Sequence, residues 1–296
     1  MANPGPTPEQ PAVLRLSAFA RDGAGGNPAG VVLDARALDE QQMRALAEQV
    51  GYSETVFVTD GPPEPGRRHY RVRYFSPLAE VPFCGHATVA LGAALGSVLG
   101  GGDLELDTAA GPVAVRTGQH PSGEWWARLA SVPPRQRQLP AELLQRALDC
   151  FGWSTDVLEP GLPPMLCYAG AWHLVLNLAD RAELEAMSYD FAALQALCSE
   201  QDWTTVSVMY QVSPQEYLAR NPFPVGGVVE DPATGAAAAA YGGYLAALGV
   251  VRPPVRLRIL QGEQIGRPSE LAVELHPDQA SVWVTGTVRP ISEPDR

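Results

Sequence analysis

Cysteine is scarce in this chain, and basic charge is scarcer than acidic. Four cysteines among 296 residues (Cys84, Cys150, Cys167 and Cys198) stand singly, with no CxxC pair and no histidine spacing of the zinc-site kind. That excludes a disulfide scaffold, gives no reason to expect a metal ligand set, and fits reduced thiols in a cytoplasmic protein. With 21 Lys and Arg against 33 Asp and Glu, the net charge is −12. The basic residues form no long run; Arg67, Arg68, Arg71 and Arg73 are the densest patch, read as the solvated face of a hairpin. Binding to nucleic acid or to an anionic membrane requires clustered Lys and Arg, so neither is expected. A small carboxylate remains open as a ligand, because local amides and one Arg suffice for it. There is no P-loop, no Gly-x-Ser-x-Gly elbow and no low-complexity tract. Gly23-Ala24-Gly25 begins like a dinucleotide fingerprint, but Pro28 stands where its last glycine belongs and a strand, not a helix, follows. The opening Met1–Pro8 lacks the basic and apolar regions of a signal peptide and reads as a loose tail.

What is present is a duplicated design. Phe83-Cys84-Gly85-His86-Ala87-Thr88 leads into an Ala, Gly and Leu stretch, and Glu230-Asp231-Pro232-Ala233-Thr234-Gly235 leads into another. No charge interrupts the first until Asp103, or the second until Arg252. A helix that is small and apolar all round has no solvent face, so something must surround it. Ala and Gly have little affinity for hydrocarbon, which favours a core helix over a membrane span for Pro232 to Val251. Two such helices predict two similar domains, each wrapped round its own helix.

Strand patterns flank both. Leu14 to Phe19, Val31 to Leu33, Thr55 to Val58, His69 to Phe75, Leu104 to Thr108, Val113 to Val115 and Trp125 to Ala130 read as strands in the first half. In the second half Trp172 to Leu178, Thr205 to Gln211, Val255 to Leu260, Leu271 to Leu275 and Val282 to Val288 do so. Asp39 to Val50, Ala141 to Phe151 and Phe191 to Ser199 are helical, with Asp39 as a cap. Pro133-Pro134 and the polar run Arg135 to Gln138 mark the crossing between halves. Many short strands round one central helix per half give an α+β fold, without the alternation that a doubly wound sheet requires.

Several residues are candidates for chemistry. Glu54 stands at the start of an apolar strand, where burial would raise its pKa and let it trade protons near neutral pH; a solvated turn carboxylate is the plain alternative. His86 opens the first buried helix, either to donate to a substrate oxygen or simply to cap. Asp231 precedes the second helix, where capping is the plain reading. Cys84, near a helix start, is either an acidified thiol or a small buried side chain. Asn27 sits in a Gly-rich turn between two strands, and Arg220, Phe223 and His173 either line a cleft or serve structure. Glu230 is expected to point away from Asp231 along the strand.

Taken in order, Gly26-Asn27-Pro28-Ala29-Gly30, Ser53-Glu54-Thr55-Val56-Phe57, Phe83-Cys84-Gly85-His86, Glu230-Asp231-Pro232-Ala233-Thr234-Gly235, Gln261-Gly262 and Gly266-Arg267-Pro268-Ser269 resemble the PhzF-like isomerases of phenazine biosynthesis. These have the diaminopimelate epimerase fold, and the resemblance runs from about Leu14 to Val288. It implies two pseudo-symmetric halves, each a curved, barrel-like sheet round a central helix, with the active site in the cleft between them. The halves would be residues 10–130, completed by about 285–296, and residues 131–284. It implies a homodimer, no cofactor, and proton transfer on a small carboxylate of the dihydrohydroxyanthranilate type. Glu54 would be the general acid/base, with His86 and Asp231 as its catalytic partners. Asn27, Gly85, Gly235 and Ala236 would bind substrate, the two glycines through their amides. Ala236 stands where the family often has Ser, which removes one hydroxyl donor. The second thiol of the related racemases is missing, since Pro232 and Ala233 occupy its region. Two other readings compete: a relative that only binds a small anion or a protein partner, and a racemase or epimerase using Cys84 alone.

Overall fold

The structure is a computed structural model that describes residues 11–292. The Met1–Pro8 tail, residue 10 and the last four residues of the expected first half lie outside the described residues. In chain order the strands are β1 (Leu14–Ala18), β2 (Asn27–Val32), β3 (Glu54–Val58), β4 (His69–Phe75), β5 (Glu80–Val81), β6 (Gly102–Thr108), β7 (Gly111–Gln119) and β8 (Trp125–Ala130). There follow β9 (Arg135–Gln138), β10 (Met165–Tyr168), β11 (Trp172–Asn177), β12 (Thr205–Ser213), β13 (Glu216–Arg220), β14 (Pro222–Phe223), β15 (Val228–Glu230), β16 (Val255–Gln261), β17 (Ser269–Leu275) and β18 (Trp283–Pro290). The α-helices are α1 (Glu40–Val50), α2 (Gly85–Leu99), α3 (Ala141–Phe151), α4 (Arg181–Ala186), α5 (Phe191–Gln201) and α6 (Gly235–Ala247).

The two buried helices explain the sheet. α2 is buried continuously from His86 to Gly96, so β1, β2, β3, β7, β8 and β18 all pack on it. The strands run β1-β2-β3-β4-β6-β7-β8-β18, and β18 pairs back to β1 through Leu16 with Pro290 and Ala18 with Val288. Eight strands thus close a barrel round α2, the last of them supplied by the C-terminal end of the chain. From β18 the sheet continues through β17-β16-β13-β12-β11-β10 and ends at β9, curving over α6 without closing. Small residues let the strands approach. A Cβ on Gly92 of α2 would stand 2.9 Å from both Ala127 Cβ and Val115 Cγ1, and one on Gly242 of α6 would stand 2.8 Å from Val273 Cγ1.

The halves follow one plan. β2 pairs parallel with β3 across α1, and β4 pairs parallel with β6 across α2. In the second half β11 pairs parallel with β12 across α4 and α5, and β13 pairs parallel with β16 across α6. All other neighbours in the sheet are antiparallel. A parallel pair needs a crossover, and in each half the second crossover is the buried helix.

Two sequence expectations change. Asn27 to Gly30 form the start of β2 rather than a turn, registered against Ala18 to Arg15. The reversal is completed earlier, where Arg21 and Ala24 exchange backbone hydrogen bonds of 3.0 Å. Arg135 to Gln138, taken as a polar crossing, form the edge strand β9 on β10; one face of an edge is solvated, so its polarity hides its conformation. The helix cap is as expected: Asp39 accepts from the Gln42 amide, and Gln42 returns a bond to the Asp39 amide. The four cysteines are unpaired.

Candidate active site

Glu54 follows directly on the turn that ends α1, where Gly51 takes φ 75° to reverse the chain. As the first residue of β3 it is registered beside Ala29 of β2, two residues along from Asn27. His86 is the second residue of α2, and Cys84 is the residue before that helix. The three side chains converge. Glu54 Oε2 lies 3.4 Å from His86 Nε2 and 3.6 Å from Cys84 Sγ. Cys84 Sγ lies 3.3 Å from His86 Nδ1 and 3.8 Å from its Nε2, and Ser53 Oγ lies 3.4 Å from Nε2. The Glu54 side chain is 18% exposed and that of His86 is 9% exposed, so the carboxylate is the more accessible member.

Asp231 comes from the other half, between β15 and α6. Its amide donates to the Asn221 carbonyl at 3.0 Å. Thr234 Oγ1 donates to its Oδ2 at 2.6 Å, and Gln261 Nε2 donates to its carbonyl at 2.6 Å. Asn27 of the first half donates to Asp231 Oδ1 at 2.7 Å and to the Ala233 carbonyl at 3.1 Å. These two bonds join the halves at the site.

The charges respond to one another. Burial raises the Asp231 carboxyl above the usual carboxylate value, and the Glu54 carboxylate raises it further. His86 and the hydrogen bonds from Thr234 and Asn27 act against that rise. Cys84 is pushed well above the ordinary thiol value by burial first and then by Glu54, with Asp231 adding to it. At neutral pH the thiol therefore keeps its proton, which speaks against a resting thiolate base.

Two helix starts accompany this group. Neither Cys84 nor Thr234 caps its helix with a side-chain hydrogen bond, whereas Asp39 caps α1 and Asp190 caps α5. Uncapped helix amides attract anions. A Cβ on Gly85 would meet only Phe83, at 3.9 Å, and one on Gly235 only Phe19, at 3.6 Å. Packing within the protein does not demand glycine at either position. Ala236 is partly exposed beside them and brings no hydroxyl.

Other candidates fall away. Glu230 is buried and paired with Arg220, whose Nη1 also donates to the Leu184, Glu185 and Met187 carbonyls at 3.1, 3.3 and 2.9 Å. The pair braces the strand that delivers Asp231. His173 is buried, its Nδ1 is 2.7 Å from Thr205 Oγ1, and burial lowers its pKa to about 3. Phe223 forms the small β14–β15 pairing. Gln261, Asn221 and Thr234 support Asp231 without any signal in the sequence that marks them as supports. A cavity of about 840 Å³ beside α1, lined by Leu14, Leu33, Arg36 and Leu46 among others, shares no residue with the cluster.

The two halves follow one plan, and each starts its buried helix without a side-chain cap. The family model described as phenazine biosynthesis-like protein matches residues 16–293. An uncharacterized isomerase of Deinococcus radiodurans is 36% identical over 268 residues, covering 88% of this chain and 85% of its own. The trans-2,3-dihydro-3-hydroxyanthranilate isomerase of Pseudomonas chlororaphis is 31% identical over 255 residues, 86% of each chain. The crystal structure of the Bacillus anthracis phenazine biosynthesis protein of the PhzF family superposes with TM-score 0.82 at 25% identity, covering 95% of this chain and 96% of that one. The chain belongs to the PhzF family of phenazine biosynthesis-like isomerases. Among the described residues no helix is long and apolar enough to cross a membrane.

Proposed function

We propose that the protein shifts a proton on a small carboxylic acid without a cofactor, with Glu54 as the general acid/base. One observation carries the reading: the Glu54 carboxylate lies 3.4 Å from the His86 imidazole and 3.6 Å from the Cys84 thiol, and the Asp231 carboxyl feels both Glu54 and His86. Glu54 takes a proton from one substrate carbon and returns it to another, so the enzyme ends each turnover in its starting protonation state. His86 and Asp231 hold the substrate's polar groups, and the Gly85 and Gly235 amides take its carboxylate at the helix starts. Asn27 fixes the Asp231 rotamer through its 2.7 Å bond. The raised thiol pKa of Cys84 favours this over a racemase working through that thiolate.

A relative named as a trans-2,3-dihydro-3-hydroxyanthranilate isomerase supports a small carboxylic acid as the ligand, with Ala236 here supplying no side-chain donor. The test is proton NMR in D₂O of the protein with dihydrohydroxyanthranilate and a panel of small cyclic and acyclic carboxylic acids. Deuterium entering a substrate carbon supports the reading and identifies the class. Tight carboxylate binding with no exchange at any carbon would replace it with a binding role.

A further inference from the structure

Thr234 leads into α6 yet does not cap it: no helix amide donates to its side chain, although a hydroxyl in that place ordinarily accepts from one. Its oxygen is already occupied. Gln261 Nε2 donates to Thr234 Oγ1 at 3.1 Å, and Asn221 Nδ2 donates to it as well. A hydroxyl has two acceptor positions and one proton. With both positions filled only the proton is left to give, and it goes to Asp231 Oδ2 at 2.6 Å. We propose that Gln261 and Asn221 are positioning residues that act through Thr234. They aim its proton at Asp231, hold Asp231 as a carboxylate that can only accept, and keep the start of α6 open.

The polarity of this relay is fixed from outside it. Gln261 faces the Asp231 carbonyl, which only accepts, at 2.6 Å through Nε2, and the Thr234 amide, which only donates, at 3.4 Å through Oε1. Turning its side-chain amide over would set like against like at both contacts, so Nε2 has to face Thr234 Oγ1. Asn221 Oδ1 accepts from Ser207 Oγ at 3.1 Å, which leaves its Nδ2 to Thr234. Gln261 and Asn221 are both buried, so bulk water does not compete for the hydroxyl. The other carboxylate oxygen is served in the same way: Asn27 Nδ2 faces two acceptors, Asp231 Oδ1 at 2.7 Å and the Ala233 carbonyl at 3.1 Å. Hydrogen bonds to an ionised acceptor are roughly twice as strong as neutral ones, so protonating Asp231 would weaken both. Of the groups facing it, Glu54 from β3 favours that protonation, His86 from α2 opposes it, and Cys84 beside them keeps its own proton. Whatever a substrate presents to the free side of Asp231 must therefore be a donor. The substrate-holding role of Asp231 rests on the function proposed above; the relay itself does not.

The test titrates Asp231 itself on the full chain, through the carboxyl ¹³C shift of labelled aspartate, assigned by the resonance lost in Asp231→Asn. Thr234→Val removes the hydroxyl at nearly constant shape. It should move the Asp231 titration up by about one to two pH units, as loss of one hydrogen bond to a charged group predicts. Thr234→Ser restores the donor and should titrate as wild type, which separates the hydroxyl from damage to the fold. Gln261→Met should also move the titration up, by less, because Asn221 still holds the hydroxyl. In the Thr234→Val background the same change should add little, since its effect passes through Thr234. An Asp231 titration unmoved in Thr234→Val, or a Gln261→Met effect of equal size with and without the hydroxyl, overturns the proposal. None of these readings needs a substrate. Deuterium exchange is read separately: an Asp231 that moves as expected, while Glu54→Gln exchanges as fast as wild type, would refute the proton role of Glu54 and leave the relay standing.

Discussion

Replacing Gly235 by Ala separates the demands of the fold from those of the ligand. The added Cβ meets only the Phe19 ring, at 3.6 Å, which is ordinary contact. Gly235 is the first residue of α6 and does not need a positive φ, so Ala fits its backbone. Gly→Ala at a compatible position stabilises by about 0.4–1 kcal/mol, chiefly by restricting the unfolded chain. The Cβ would, however, stand where a substrate carboxylate approaches the uncapped helix amides. Loss of one hydrogen bond to a charged group costs about 1.5–3 kcal/mol, or about 10–150-fold in kcat/KM. Urea denaturation and steady-state exchange kinetics on the same preparations read the two effects. We expect Gly235→Ala to be at least as stable as wild type and about 10-fold or more slower at low substrate. A destabilised Gly235→Ala would mean that packing demands the glycine; a stable variant with full activity would mean that no anion approaches there. Gly85, with its nearest contact at 3.9 Å, should behave in the same way.

Other positions make equally direct tests. Gly92→Ala should cost about 1–3 kcal/mol, because its Cβ would press on Val115 and Ala127 at 2.9 Å inside the closed barrel; a melting curve at wild-type position would contradict that. Asn27→Ala removes a bond that holds the Asp231 pKa down, so any activity limb set by Asp231 should move to higher pH. An unmoved profile would show that Asp231 does not titrate in turnover. His173 is neutral in the folded protein down to about pH 3, whereas in the unfolded chain it takes up a proton below about pH 6.5. Its folded pKa is lowered, so stability should fall with pH from about 6.5 towards 3, by about 2 kcal/mol on reaching pH 5. His173→Gln should flatten that slope, and a slope that survives the change belongs to other groups.

The two core helices were legible because composition alone betrays a helix with no solvent face. Ala-Gly-Leu stretches from His86 and from Gly235 admit no other arrangement than one in which sheets surround them. Strands β6 and β7, which pair antiparallel, were legible as two short apolar runs close together in the chain. Edge strand β9 was not, since three of its four residues are exposed and it carries no apolar period. Asn27 was misplaced in a turn because Gly23 to Gly30 punctuate heavily, while the reversal closes by Ala24. Glu54, His86 and Asp231 could be named from their motifs, but their meeting depends on the parallel pairing of β2 with β3 and on the 2.7 Å reach of Asn27 across the halves. Long-range register is not written in local pattern. The meeting of Glu54, Cys84 and His86 is invisible for that reason: its members are 30 and 2 residues apart in the chain. Gln261 belongs to a recognisable motif, but its role is hidden likewise, because a Gln on a strand says nothing of the Asp231 carbonyl to which it donates at 2.6 Å.

The central claim is that Glu54 carries the proton, and deuterium exchange measures it most directly. Wild type and Glu54→Gln are incubated in D₂O with whichever carboxylic acid of the panel exchanges, and label at carbon is followed by proton NMR. General acid/base catalysis by one side chain is worth about 10²–10⁴-fold, so exchange in Glu54→Gln should fall by at least that factor while the variant still binds the acid. Exchange at the wild-type rate in Glu54→Gln would contradict the account and pass the role to Cys84.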